Sequence, residues 1–252
     1  MRFTQFLLFT ATIFSQNAWA SFDIVPITQV LTPSGNGATA SFTVKNHSDQ
    51  RTPVQITIIP REPDINGNEN FKNIGDTDDR FQVFPSQIIL KPKDTQTIRV
   101  TWVGNPKITS ELPFRMISEE LPIILPEPGK IYKKPVGRLT IMSRYIGSLY
   151  VTPTGAQANL LFKAVESPEK KGHMLLEIEN KGTSHQVIRK DKFKFSTQLA
   201  GGGSKDIEWQ VDPESPLFQA NILANQSRKV TIPWPPKLPV GPVTVTLLSA
   251  KE

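Results

Sequence analysis

The chain contains no cysteine. No disulfide can staple it, so its structure must be held by a buried core. After the first twenty residues, no run approaches the ~18 apolar residues a membrane-spanning helix needs, and no membrane insertion is expected. Histidine is scarce: His47, His173 and His185 are far apart, sit in turn-like contexts and read as surface positions. Catalytic signatures are missing too, with no nucleophile elbow, no His-Glu-x-x-His and no phosphate-binding glycine loop. The stretch DINGNEN, Asp64 to Asn70, has oxygen ligands and a glycine. It lacks the spacing and terminal bidentate glutamate of a calcium loop and reads as a hairpin loop. GDTDDR, Gly75 to Arg80, clusters carboxylates without an acid–base partner and reads as a solvated loop. No enzyme activity, metal or cofactor is expected.

What is present begins with an export signal. Residues 1–20 combine a basic Arg2, an apolar core from Phe6 to Phe14 and the small-x-small Ala18-Trp19-Ala20. A mature chain starting at Ser21 in the bacterial periplasm is the expectation. The net charge of +6 falls to +5 once Arg2 is removed. The basic residues are scattered, as on a solvated surface, and nucleic acid is not an expected partner.

The remaining signals are strand and turn. ATASFTVKN alternates Ala40, Phe42 and Val44 with polar residues, and PVQITIIP does so with Val54, Ile56 and Ile58. TQTIRVTW, HMLLEIEN and VTVTLL repeat the pattern with Ile98, Val100 and Trp102, then Met174, Leu176 and Ile178, then Val243, Val245 and Leu247. Period-two alternation marks half-buried strands, and 22 prolines break every helical window. Short strands separated by turn formers indicate β-sandwiches. SFTVKNHSDQRTPVQI and LLEIENKGTSHQVI share one plan: an alternating strand, an Asn at its end, a polar turn and another strand. Two copies of one sandwich unit would explain this. The predicted division is a signal at 1–20, a first domain at 21–153 and a second at 154–252, split at the turn formers Thr152-Pro153-Thr154-Gly155.

GRLTIMSRYIGSLYV, Gly137 to Val151, reads as one strand long enough to span ~50 Å at about 3.3 Å per residue. It has neither proline nor lysine to protect an edge. Such an edge is either covered or used to bind another chain by strand addition.

FPSQIILKPKDTQTIRVTW, followed by ELPFRMISEELPI, resembles the periplasmic chaperones of the chaperone–usher pilus pathway. The matching features are Phe84-Pro85, Leu90-x-Pro92, Ile98-Arg99-Val100-x-Trp102, Glu111, Phe114-Arg115 and Glu120-Leu121-Pro122. ASFTVKN looks like the second strand of the family's first domain. The resemblance implies an all-β fold of two immunoglobulin-like β-sandwich domains in an L-shaped (boomerang) arrangement. It also implies that the long strand is lent to a pilin or fimbrial subunit lacking one strand of its own sandwich. The subunit then passes to an outer-membrane usher, and no cofactor is involved.

Mapped here, the donor row is Leu139, Ile141, Ser143 and Tyr145, with packing in the first domain's own core as the alternative for that row. Own-core packing is the expectation for Leu149 and Val151. The family anchors the subunit's C-terminal carboxylate with an Arg on the first strand and a Lys on the donor strand. This chain departs from that pattern, with Thr28 near the expected Arg and Ser148 near the expected Lys. It looks like the divergent, archaic or alternative branch. The carboxylate anchor candidates are Arg144 first and Arg115 second, each with a structural ion pair to Glu119 or Glu120, or a solvated side chain, as the alternative. A tandem immunoglobulin-like fibre subunit or adhesin is the rival reading. Self-association of the free protein through its donor edge is a further expectation.

Overall fold

A computed structural model of the chain describes residues 20–72, 74–123, 142–199 and 201–248. Residues 1–19 of the export signal and the donor-row residues Leu139 and Ile141 lie outside the described residues. Apart from one 3-10 turn at Asn36–Ala38, every described regular element is a strand. Among the described residues no helix is long and apolar enough to cross a membrane.

Nine strands build the first body: β1 (Phe22–Val25), β2 (Thr28–Leu31), β3 (Thr39–Asn46), β4 (Thr52–Pro60), β5 (Phe81–Phe84), β6 (Gln87–Leu90), β7 (Thr95–Trp102), β8 (Leu112–Glu120) and β9 (Arg144–Val151). They form two sheets, β1-β3-β7-β5 and β2-β9-β8-β4-β6. The alternating residues read from the sequence line the space between them: Phe42, Val44, Ile58, Ile98 and Val100 are all buried. The opening stretch FDIVPITQVL forms two strands, β1 and β2. Pro26, which has no N–H to give a ladder, sits at the cis Val25–Pro26 bond where the chain leaves one sheet for the other.

Eight strands build the second body: β10 (Leu160–Glu166), β11 (His173–Asn180), β12 (Gln186–Val187), β13 (Lys192–Gln198), β14 (Ser204–Gln210), β15 (Asn221–Ile222), β16 (Ser227–Pro233) and β17 (Val243–Leu248). Six of them form one sheet, β14-β13-β17-β10-β11-β16, and β12 pairs with β15. Its separate core includes Met174, Leu176, Phe193, Phe195 and Leu217. Trp209 and Trp234 pack against that core, and Trp102 belongs to the first.

The two similar sequence stretches do the same work in both bodies. Asn46 ends β3 and Asn180 ends β11, at 0% and 1% exposure. Each carboxamide closes the turn that follows. Asn46 Nδ2 donates to the Gln50 and Lys91 carbonyls at 2.7 and 2.9 Å, and its Oδ1 accepts from Ser48 N at 2.8 Å. Asn180 Nδ2 donates to the Ser184 and Ile222 carbonyls at 2.8 and 3.1 Å, and its Oδ1 accepts from Gly182 N at 2.9 Å. A buried side-chain amide is retained only if its donors and acceptor are satisfied, and both are.

The acidic loop GDTDDR behaves differently from its sequence reading. Asp78 of GDTDDR is not solvated: its carboxylate grips Arg80 Nη2 at 2.5 Å with only 9% of its side chain exposed. The Arg80 guanidinium in turn lies over the Trp102 and Phe114 rings at 5.8 and 4.9 Å, so the acidic residue orients a cation–π contact. DINGNEN is closed on Asp64, which accepts from the backbone N–H of Asn66 and Asn68.

Candidate functional site: an open strand edge beside a cationic cleft

Strand β9 has one fully paired side and one partly paired side. β8 runs antiparallel to it over its whole length, from Leu112↔Val151 to Glu119↔Arg144. On the other side β2 pairs in parallel only from Thr28↔Ser148 to Leu31↔Val151. Among the described residues, Arg144 to Gly147 have no strand on that edge. Gly147 marks the transition: a Cβ there would lie 2.7 Å from the Ile27 carbonyl oxygen, so only glycine lets β2 come this close. Exposed apolar side chains surround this end, including Ile27, Ile123 and Met142.

The side-chain alternation of β9 sorts its residues. Leu149 and Val151 are fully buried in the first core. Tyr145, on the same row, packs against that core, its ring edge-on to Phe22 at 5.2 Å. Burial raises the Tyr145 phenol above its ordinary pKa, with a smaller push from Asp23. Ser143 meets Ser21 at 3.2 Å through its Oγ, and Ser21 Oγ donates to Glu120 at 2.5 Å. Regular strand starts at Arg144, whereas the sequence reading began it at Gly137. Residues 137–141 lie outside the described residues. In the sequence, Leu139 and Ile141 have the same odd-numbered parity as that row.

On the opposite row of β9, Tyr150 meets the second body through Asn221 and His185. Thr28, Ser148 and Arg115 lie abreast across β2, β9 and β8. Arg115 Nη1 donates to Ser148 Oγ at 2.6 Å, which brings a guanidinium to the strand position where a Lys was missed. Its Nε and Nη2 grip both oxygens of Glu69, at 2.7 and 2.5 Å. Arg61 shares the same carboxylate through Nε at 3.0 Å and donates from Nη1 to the Tyr150 hydroxyl at 2.8 Å. Asn221 of the second body donates to that hydroxyl at 2.7 Å. A third guanidinium, Arg228, lies against Gly67, where a Cβ would come within 2.5 Å of its central carbon. Arg228 Nη1 donates to the Asn221 carbonyl at 3.2 Å, while its buried Nε has no hydrogen-bond partner.

The electrostatics follow from this crowding. Burial pushes the Glu69 carboxyl up, but the hydrogen bonds and charges of Arg115 and Arg61 outweigh it and hold the group below its ordinary pKa. Burial, with the charge of Arg61, lowers the pKa of Arg228. A cleft of about 300 Å³ borders the cluster, lined by Ile65, Leu161, Phe162, Arg228 and Lys229 among others. The loop carrying Glu69 also bridges the bodies, since Lys229 N donates to the Ile65 carbonyl at 2.7 Å.

Arg144 lies elsewhere. Its side chain is 45% exposed and pairs with Glu119 on the neighbouring strand at 2.6 Å, the structural pairing that the sequence left open for it. Arg115 pairs with neither Glu119 nor Glu120 but with Glu69, 46 residues away in sequence. His185 is not a surface residue. It stacks on Tyr150 at 3.9 Å and bonds Glu111, whose side chain is 2% exposed, at 2.7 Å. Thr152 Oγ1 donates to the other Glu111 oxygen at 2.7 Å, so one carboxylate ties the end of β9 to the second body.

No protein-family model and no curated protein sequence matches the chain. Solved structures do. With a TM-score of 0.56 and 18% identity, over 91% of this chain and 94% of the other, it is similar to a chain of a chaperone–tip adhesin complex vital for activation of CFA/I fimbriae biogenesis. The class 5 fimbriae chaperone CfaA is similar at 0.53 and 17% identity, over 91% and 99% of the two chains. A chain of the Salmonella enterica SafA pilin–SafB chaperone complex is similar at 0.52 and 13%, over 86% of each. The fold is that of the fimbrial chaperones. Both bodies are thus immunoglobulin-like sandwiches, and the likeness spans them rather than one alone. At these identities the agreement is one of fold, and the cleft residues carry their own argument.

Proposed function

We propose that this protein is a periplasmic chaperone for pilus or fimbrial subunits, which it binds by donating a strand and delivers to an outer-membrane usher. The observation that carries this reading is the half-open edge of β9. Among the described residues pairing with β2 stops at Ser148, and the sequence upstream carries Leu139 and Ile141 at the same odd-numbered positions as Tyr145, Leu149 and Val151. A subunit lacking one strand gains backbone hydrogen bonds from that edge and pocket contacts from the row. The domains are taken as 21–153 and 154–252, after a signal at 1–20. The chemistry is binding, with no catalytic step.

Leu139, Ile141, Ser143 and Tyr145 form the donor row. Tyr145 and Ser143 have partners within the free protein, so Ile141 and Leu139 bear most of the subunit contact. Of the two anchor candidates the geometry favours Arg115. It lies abreast of Ser148 and already grips a carboxylate, whereas Arg144 is an exposed partner of Glu119. Ionised, bidentate hydrogen bonds are the strong way to hold a carboxylate.

Co-expression with a fibre subunit whose sandwich lacks a strand tests the proposal. The two proteins should co-purify. Arg115→Ala should lose most of the complex, and Arg144→Ala should keep it. Failure of the wild-type protein to retain any such subunit would overturn the reading and bring the fibre-subunit alternative forward.

A further inference from the structure

We infer that Glu69 is a tethered ligand occupying the carboxylate seat of the free protein, and that a bound chain's C-terminal carboxylate must displace it from Arg115. This deepens the function proposed above and rests on it for the identity of the incoming chain. The geometry itself is independent of that reading.

Three features of the cleft point to an exchangeable seat. First, the charges do not balance locally. Arg61, Arg115 and Arg228 converge on the loop that carries one contacting carboxylate, Glu69. Asp64 adds a more distant negative charge, but its oxygens are taken by the N–H groups of its own loop. Second, one donor is idle: the buried Arg228 Nε has no partner among the described residues, and its side chain lines the open cleft. An incoming carboxylate could satisfy Arg115 and bring Glu69 nearer to Arg228, conserving the number of charge-assisted bonds. Third, Glu69 is held by a surface loop rather than a strand. It lies between β4 and β5, in a segment with no regular element, eight residues beyond Arg61. Loops of this kind open at lower free energy than the strands they join.

Glu69 also reproduces what a chain terminus would present. Both of its oxygens face Arg115 Nε and Nη2, side by side, and the third Arg115 nitrogen is fixed to β9 through Ser148 Oγ. A bound chain paired along β9 would bring its terminus to this point. The seat is therefore closed to stray anions until a chain aligned with the strand edge supplies both the terminus and the pairing.

The test uses a peptide rather than a subunit, so that its result is separate from that of the chaperone reading. An N-acetylated apolar tetrapeptide with a free carboxylate is titrated into the full-length mature protein. Binding is followed by the Arg115 Nε–H signal in nuclear magnetic resonance. The amidated peptide is the control. Removing a competing charge-assisted contact should raise affinity by about tenfold or more, so Glu69→Gln should bind the free-carboxylate peptide that much tighter than wild type. Neither protein should bind the amidated form. Glu69→Asp keeps the charge but is one methylene too short to span both arginines. It should fall between the two, and it decides the matter if Glu69→Gln does not fold. Equal or weaker binding by the Gln variant, binding indifferent to amidation, or no binding to either protein would overturn the inference. In all three cases co-purification of a subunit remains a separate result.

Discussion

Replacing Tyr150 with Phe removes one oxygen from the centre of the molecule. The ring would keep its place in the fold and its 3.9 Å stack on His185. The lost hydroxyl accepts from Arg61 at 2.8 Å and from Asn221 at 2.7 Å, and it sits where Tyr150 is 2% exposed. The bond from a charged donor contributes about 1.5–3 kcal/mol and the neutral one about 1 kcal/mol. Arg61 is 8% exposed, so water does not readily replace the lost acceptor. Asn221 already has one buried oxygen without a partner, which leaves its amide doubly unsatisfied. Together these give a loss of about 3 kcal/mol. For a chain of this size that is a fall of roughly 6–12 °C in melting temperature. Because Arg61 belongs to one body and Asn221 to the other, the two should also melt less cooperatively. Urea unfolding followed by tryptophan fluorescence and circular dichroism would test both effects. A midpoint unchanged within about 0.5 kcal/mol, with coincident transitions as in wild type, would refute this account of the joint.

Asn46→Ala and Asn180→Ala should each cost about 2–4 kcal/mol, because each strands buried groups of the turn it closes. Differential scanning calorimetry should show the first variant lowering one domain's transition and the second the other's. Stability should also carry a signature of Glu69. Its folded pKa lies below the ordinary value of 4.5, so its contribution is complete above about pH 4.5 and fades as pH falls through the folded value. Denaturant midpoints measured between neutral and acidic pH should therefore fall more steeply for wild type than for Glu69→Gln.

The extent to which sequence foretold structure differs between the sheets and the cleft. Period-two alternation located β3, β7 and β11, because each faces a core on one side and solvent on the other. The paired asparagines were visible as a repeated plan, and the structure gives its reason in the buried turn closures. Strand β2 was not separable, since its pattern leaves Val30 half exposed and its parallel partner is more than a hundred residues away. Its register follows from how closely Ile27 can approach Gly147. The cleft was legible only in part. Arg115 could be named as a basic residue beside the long strand, but Arg61, Glu69, Tyr150, Asn221 and Arg228 come from three strands and a loop with no shared periodicity. Glu69 lay in plain view within DINGNEN. Its two acids, Asp64 and Glu69, do different work, one closing the loop and the other reaching Arg61 and Arg115, and nothing in their spacing separates the roles. His185 likewise looked exposed, because the carboxylate that buries it, Glu111, is 74 residues away.

Strand donation is most directly measured with one charge. Ile141→Glu places a carboxylate on the row that should enter a subunit's apolar groove, at a cost of several kcal/mol if the groove is dry. Wild type and variant are each co-expressed with a subunit lacking a strand, and the complex is quantified after purification. Loss of the complex, with circular dichroism and melting of the free variant unchanged, is the expected result. A complex retained in full by Ile141→Glu, or a variant that no longer folds by itself, would mean that Ile141 serves the protein's own core and that the subunit is held some other way.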